Sequence, residues 1–319
     1  MNVPVLVFAY HRIRGIDSST LPYERELISA TPAQFEEQLK FLTKHYTLTN
    51  FINISESIKK DPDYSPKNLV ILTFDDGYLD FYTEVFPLLK KFKGTAVVYP
   101  STQYIESDTP IWFDQLGFAL DSLQAEQIIE AASQSGLEFL NADRHLVDKN
   151  YIFRHVKSIS DSARLEFIGS ILAVCKRDYG VDASQLKNEM LNWEQIREVF
   201  KGGVEIGSHT VSHPILTNVT QTNLAYELTK SKELIEEKTG GKVVSLAYPV
   251  GGIETFSEAV IKEVKKAGYE FAVCYLDGVN DAVQPSMYEL KRIRVEENQS
   301  LSLFRTRLAL LSIKRAIKR

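Results

Sequence analysis

The chain has 319 residues, of which 44% are hydrophobic and 25% charged, with a net charge of −5 at pH 7. That balance is ordinary for a soluble globular protein, gives no basis for nucleic-acid binding, and includes no apolar run long enough to span a membrane. The length suits one large α/β domain or two modest ones. The two cysteines, Cys175 and Cys274, stand in apolar surroundings and read as buried packing thiols, not as a disulfide framework.

At the N-terminus, "VPVLVFAY" reads as a first strand. No basic segment precedes it, so a signal peptide is not expected, and the expectation is a cytoplasmic protein or one at the cytoplasmic membrane surface. A helix follows over "TPAQFEEQLKFLTKHY", with Thr31 as N-cap, Pro32 at the first position, and Phe35, Leu39 and Leu42 at helical spacing. "NLVILTF" is a strand. "YTEVFPLLKKFK" is a helix in which Pro87 marks a kink or a late start. "GTAVVYP" is a strand.

Residues 103–200 are mostly helical and form one insertion covering a barrel. Then come the strand "GGVEIGS", a helix closed by Gly240, the strand "VVSLAYP", a helix ending at Gly268, the strand "YEFAVCYL", and "ELKRIRVEE" as a last strand. Repeated strand–helix units imply a parallel sheet, open or closed into a barrel. The tail, residues 301–319, reads as a basic amphipathic helix. It either docks by its apolar face or also touches an anionic membrane surface.

Two polar clusters fall at strand ends, the places where α/β folds gather their active sites. One is "LTFDDGY", with Asp75 and Asp76 adjacent. The other is "EIGSHTVSHPIL", with His209 and His213 four residues apart. If that turn is helical, both imidazoles share a face, and two such histidines with a carboxylate from elsewhere make a zinc pattern. Asp-Asp-Gly is also a turn sequence, and one of its acids could cap the next helix.

Together with "LAYPVGG", these motifs resemble the polysaccharide deacetylase family of carbohydrate esterases, over about residues 5–295. The resemblance implies a distorted (β/α) barrel and a divalent metal, usually zinc. It implies hydrolysis of N-acetyl groups on amino sugars, with release of acetate; an acetylated glycan and a lipid-linked amino sugar both stay open as the substrate. By the same match Asp76, His209 and His213 are the metal ligands and Asp75 the catalytic base. The backbone N–H of Val250 is the oxyanion donor.

Two parts of the family pattern are missing. The third motif reads Ala247-Tyr248-Pro249-Val250-Gly251 and lacks the family's arginine, for which Arg292 or Arg294 is a candidate replacement. No histidine follows His213, so the usual C-terminal general acid is absent. His11 in "FAYHRI" resembles the branch of the family that acts on poly-N-acetylglucosamine, whose histidine motif lies at the N-terminus. First and last strands of a closed barrel are neighbours, and an imidazole of ordinary pKa suits donation to an amine. Tyr248, Trp112 and Asp114 are candidates for substrate contact, although core packing is the commoner fate of such aromatic residues. An O-acetyl esterase and a non-catalytic carbohydrate-binding protein on the same fold are the alternatives.

Overall fold

The computed structural model describes residues 5–15, 27–61, 64, 68–137, 148–181, 188–280, 287–297 and 299–317, with side chains through 311 in the last helix. His145 and the basic residues at 314, 315, 318 and 319 therefore lie outside the described side chains.

The longest strand of the main sheet is β5 (Leu69–Asp76), buried along its whole length, with an apolar run from Leu69 to Leu72 leading to its polar end. The sheet also contains β1 (Val5–Tyr10), β4 (Thr47–Thr49), β6 (Val97–Pro100), β7 (Glu205–Ile206), β8 (Ser245–Ala247), β9 (Phe271–Asp277) and β10 (Leu290–Arg294). Their order is β7-β6-β5-β1-β10-β9-β8, and β4 shares one edge of β5 with β6. Every pairing is parallel. The two ends of the sheet meet at Ser208. Its N–H donates to the Ser245 carbonyl at 3.0 Å, and its own carbonyl accepts from the Ala247 N–H at 3.0 Å. The sheet is thus a distorted (β/α) barrel. A short ribbon of β2 (Arg12–Ile13) and β3 (Ile28–Ala30) stands beside it.

Strand side chains alternate between faces, and this alternation decides what fills the barrel. Val5, Val7, Leu69, Ile71, Val97, Tyr99, Phe271, Val273 and Leu290 point into the lumen, plugged below by Phe51 and Ile54 of α2 (Phe51–Lys60). Their neighbours Leu6, Phe8, Tyr10, Val70, Leu72 and Phe74 point outward against helices. The outer layer includes α1 (Pro32–His45), capped by a reciprocal Thr31–Gln34 box, and α3 (Phe86–Phe92). A π-turn over Phe81–Val85 leads into α3, so Pro87 marks a late start.

The helices α4 (Trp112–Ser122), α5 (Ala125–Gln134), α6 (Lys149–Ser158) and α7 (Asp161–Tyr179) bury a core of their own around Leu116, Ile152, Phe167 and Ile171. Cys175 lies in that core, and Cys274 lies in the core outside the barrel. The next helix, α8 (Trp193–Lys201), packs Trp193, Ile196 and Val199 on the barrel instead. Then follow α9 (Gln221–Thr239), closed by Gly240 in the left-handed conformation, and α10 (Glu258–Lys266). Last comes α11 (Leu301–Ile317), whose Phe304 stacks on Phe8 at 5.4 Å. Among the described residues no helix is long and apolar enough to cross a membrane.

Candidate metal and active site

Lumen parity carries β5 from Leu69 and Ile71 through Thr73 to Asp75, so Asp75 faces the top of the barrel interior. Leu290 of β10 faces the same interior, and two residues on comes Arg292, fully buried. The guanidinium makes two parallel bonds to Asp75, Nη1 to Oδ1 and Nη2 to Oδ2, both at 2.7 Å. It also donates from Nη1 to Thr73 Oγ1 at 3.1 Å and from Nε to the Cys274 carbonyl at 2.9 Å. Burial pushes the Asp75 carboxyl up. The Arg292 charge and hydrogen bonds outweigh it and hold the group at about 2. Arg294 takes another position, its guanidinium 5.6 Å from the Tyr275 ring centre. Of the two arginines left open by the sequence, Arg292 is the one on Asp75.

Asp76 does not follow the alternation. Its φ is +71°, and the Gly77 N–H donates across it to the Asp75 carbonyl at 2.9 Å. This is the rarer, left-handed form of the three-residue γ-turn, which costs on the order of 1–3 kcal/mol in a non-glycine residue. Gly77 follows at φ +86°, where an added Cβ would meet Pro100 Cα at 2.9 Å. The reversal lets two adjacent carboxylates serve one cavity. The same device recurs at Val250, φ +62°, bridged by a 2.7 Å bond from the Gly251 N–H to the Pro249 carbonyl. Thr210 (φ +68°) and His213 (φ +56°) are also left-handed. The turn carrying the two histidines is therefore irregular, not helical. Glu227 of α9 shapes it by accepting from the Val211 and Ser212 N–H groups at 2.8 and 2.9 Å.

That loop brings His209 Nε2 to 3.6 Å and His213 Nε2 to 3.5 Å from Asp76 Oδ1. Ligand atoms about 2.0–2.2 Å from a common tetrahedral centre stand roughly 3.3–3.6 Å apart, so the spacing fits a shared cation. Nδ1–H of His209 donates to the Ala247 carbonyl at 2.8 Å, which leaves the Nε2 lone pair facing the cavity. Burial lowers the pKa of both imidazoles and keeps them neutral, as ligands must be. Asp76, His209 and His213 form a candidate divalent-metal site, the ligand atoms within 4.8 Å of one another.

His11 leaves β1 with its Nε2 3.8 Å from Asp75 Oδ2 and its ring edge-on to Tyr275. Burial pushes its imidazole down to about 4, against the pull of Asp75. The resting imidazole is therefore neutral, unlike the near-neutral titration expected from the sequence. Behind it, Arg12 Nε donates to Asp80 Oδ2 at 2.8 Å and Nη2 to Glu189 Oε2 at 2.5 Å, with the guanidinium over the Tyr78 ring.

The cavity above these groups has a volume of about 230 Å³. Tyr248 and Val250 line it, and Trp112 and Phe113 of α4 form a wall. Trp112 Nε1–H donates to the His213 carbonyl at 3.0 Å, so this wall is tied to the ligand loop. Tyr248 presents its ring only, since its hydroxyl donates to the Tyr288 carbonyl at 2.9 Å. Asp114 is not among the lining residues. Its carboxylate accepts from the Tyr78 hydroxyl at 3.1 Å, which makes it a support for the Asp75-Asp76 turn. Leu27, Lys157 and Tyr275 line the cavity and carried no motif. The 271, 273, 275 alternation in β9 was a signal for Tyr275.

The family model described as polysaccharide deacetylase matches residues 63–142 and 170–272. The chain belongs to the polysaccharide deacetylase family. YxkH of Bacillus subtilis, whose name also refers to polysaccharide deacetylases, is 23% identical over 305 residues, 95% of this chain and 75% of that protein. The poly-beta-1,6-N-acetyl-D-glucosamine N-deacetylase of Escherichia coli K12 is 22% identical over 282 residues; the match covers 88% of this chain but only 36% of that protein. In fold, the chain resembles the Streptococcus pyogenes deacetylase PplD, solved in complex with acetate. The TM-score is 0.61 at 17% identity, covering 96% of this chain and 98% of that one.

Proposed function

We propose that the protein is a metal-dependent N-deacetylase of an acetylated amino sugar, working as one catalytic domain with α4–α7 as an insertion over the barrel. The observation that carries this reading is the Asp75–Arg292 pair beside the Asp76, His209 and His213 cluster. Family membership and the names of the relatives support it.

Asp76, His209 and His213 would hold the ion, with zinc the expected one. When bound, such an ion supplies Lewis acidity to the attacking water and the acetyl carbonyl. Asp75, ionised and fixed by Arg292, takes one proton from that water. The Val250 N–H, which no acceptor takes among the described residues, donates to the developing oxyanion. Neutral His11, its Nε2 3.8 Å from Asp75 Oδ2, receives that proton once the two close to hydrogen-bond distance and gives it to the leaving nitrogen as the C–N bond breaks. One water is consumed, and acetic acid and a free amine result. An O-acetyl ester would need less from His11, since an alkoxide leaves more readily than the amide anion that an unprotonated nitrogen would become.

The test is acetate release across a panel of N- and O-acetylated sugars, with Asp75→Asn as the blank and elemental analysis for the metal. Release from N-acetyl sugars alone is expected. Release from none, before and after zinc restoration, overturns the reading. Within it we also propose a protein of the cytoplasm or of the cytoplasmic membrane surface, acting on a lipid-linked or polymeric glycan. Half-exposed Leu303 and Leu310 of α11 support a peripheral contact. Vesicle cosedimentation unchanged in a Leu303→Ser, Leu310→Ser double variant would remove that contact.

A further inference from the structure

Lys157 is a cation with no described role in the chemistry above. It lies in the last turn of α6 and lines the cavity together with His11 and Val250. Its position is fixed through the backbone. Asn218 Nδ2 donates to the Lys157 carbonyl at 3.1 Å and to the Ile159 carbonyl at 2.8 Å. Asn218 ends the segment that begins with the two candidate ligand histidines, so the end of α6 and the ligand loop are held as one unit. Among the described residues no carboxylate pairs with Lys157 and none accepts a hydrogen bond from its Nζ, which lies 5.6 Å from the Phe153 ring centre.

Charge balance says what this ammonium faces. Arg292, beneath the site, is engaged by Asp75, Thr73 and the Cys274 carbonyl. A divalent ion on Asp76 already leaves the ligand cluster with a net positive charge, because both imidazoles are neutral. A further uncompensated lysine is not needed to balance the protein's own acids. It is suited to a negative charge arriving with the ligand, where a compact ammonium makes a charge-assisted contact to phosphate or carboxylate.

We propose that Lys157 forms a subsite for an anionic substituent, a phosphate or a carboxylate, on the acetylated amino sugar. The proposal rests on the deacetylase reading for the sugar and adds the charge. A sugar held over the candidate metal site would have its substituents within reach of the side chains that line the same cavity, Lys157 among them.

The experiment is calorimetric titration of the zinc-loaded full chain with three probes: N-acetylglucosamine, N-acetylglucosamine 1-phosphate and N-acetylmuramic acid. At least one acidic probe should bind about tenfold more tightly than the neutral sugar, with the gain falling as salt is raised. Which acidic probe gains separates phosphate from carboxylate. In Lys157→Met the ratio of acidic to neutral affinity should fall to near one, and Lys157→Arg should keep it. No gain for either acidic probe, or a gain that survives in Lys157→Met, overturns the subsite. Acetate is not the readout, so the two ideas fail differently. A failed deacetylase reading leaves the affinity ratio intact with no acetate formed. A failed subsite gives a ratio near one whether or not acetate forms.

Discussion

The rim of the barrel and the helical wall above it both line the cavity, but they are held in different ways. The rim groups sit on the ends of buried strands and are fixed by a buried ion pair, by left-handed backbone at Asp76, His213 and Val250, and by Glu227 under the histidine loop. The wall has its own core, which takes in Tyr78, and meets the rim through Phe113 edge-on to His213 and a few polar staples, Trp112 to His213, Asn218 to α6, and Tyr78 to Asp114. Chemistry needs placement within a fraction of an ångström, and recognition tolerates more. The rim is built for the first and the wall for the second.

The sharpest way to break that contrast is at Asp75. Asp75→Asn should lower acetate release by on the order of a thousandfold or more, read as kcat, because the base is lost while Arg292 keeps one acceptor. Next is Arg292→Met, which leaves a buried carboxylate without its counter-charge. Unfolding by urea should show a loss of about 3–5 kcal/mol. The Asp75 pKa, about 2 with the arginine present, should rise. Stability that the ionised carboxylate supplies in the wild type above the unfolded pKa of 3.8 would then be gone, and the acid limb of the pH–rate profile should move to higher pH.

The floor of the barrel gives a third, smaller effect. Glu205 is buried, accepting from Ser245 Oγ at 2.6 Å and the Ile52 N–H at 3.0 Å, and burial pushes it up to about 7. A carboxyl raised in the folded state stabilises fully below its unfolded pKa, here 4.5, and that stability is lost as pH rises through about 7. Melting curves of the wild type should fall across this window, by up to about 1.4 kcal/mol per pH unit, and those of Glu205→Gln should stay flatter. The smallest effect belongs to the wall. Trp112→Phe removes one donor to the His213 carbonyl and should cost about 1–2 kcal/mol, seen mainly as a raised KM. A loss in kcat as large as that of Asp75→Asn would show that wall and rim are one device.

The rim was the legible part. Two adjacent acids at the end of an apolar strand and two histidines four residues apart are local patterns, and the family resemblance attached roles to them. Where the pattern was only local, its geometry was misjudged: the histidine turn is shaped by Glu227 and left-handed residues, which helical spacing cannot reveal. The choice between Arg292 and Arg294 needed the register of β10, which shifts between Leu290 and Arg292 against β9. The wall was hardly legible. Trp112 could be named as a candidate, but Lys157 and Leu27 reach the cavity only because the tertiary fold lays their segments over the barrel mouth. Asp114 went to Tyr78 for the same reason.

Asp76 and Val250 occupy backbone conformations that glycine would adopt with less strain. At each of them the chain would relax on losing its side chain. A search for heat-resistant variants that ignored activity would thus meet some of its first gains at the catalytic rim. Hardening this protein safely means working elsewhere, on the wall helices and the outer layer, and leaving the two tense turns as they are.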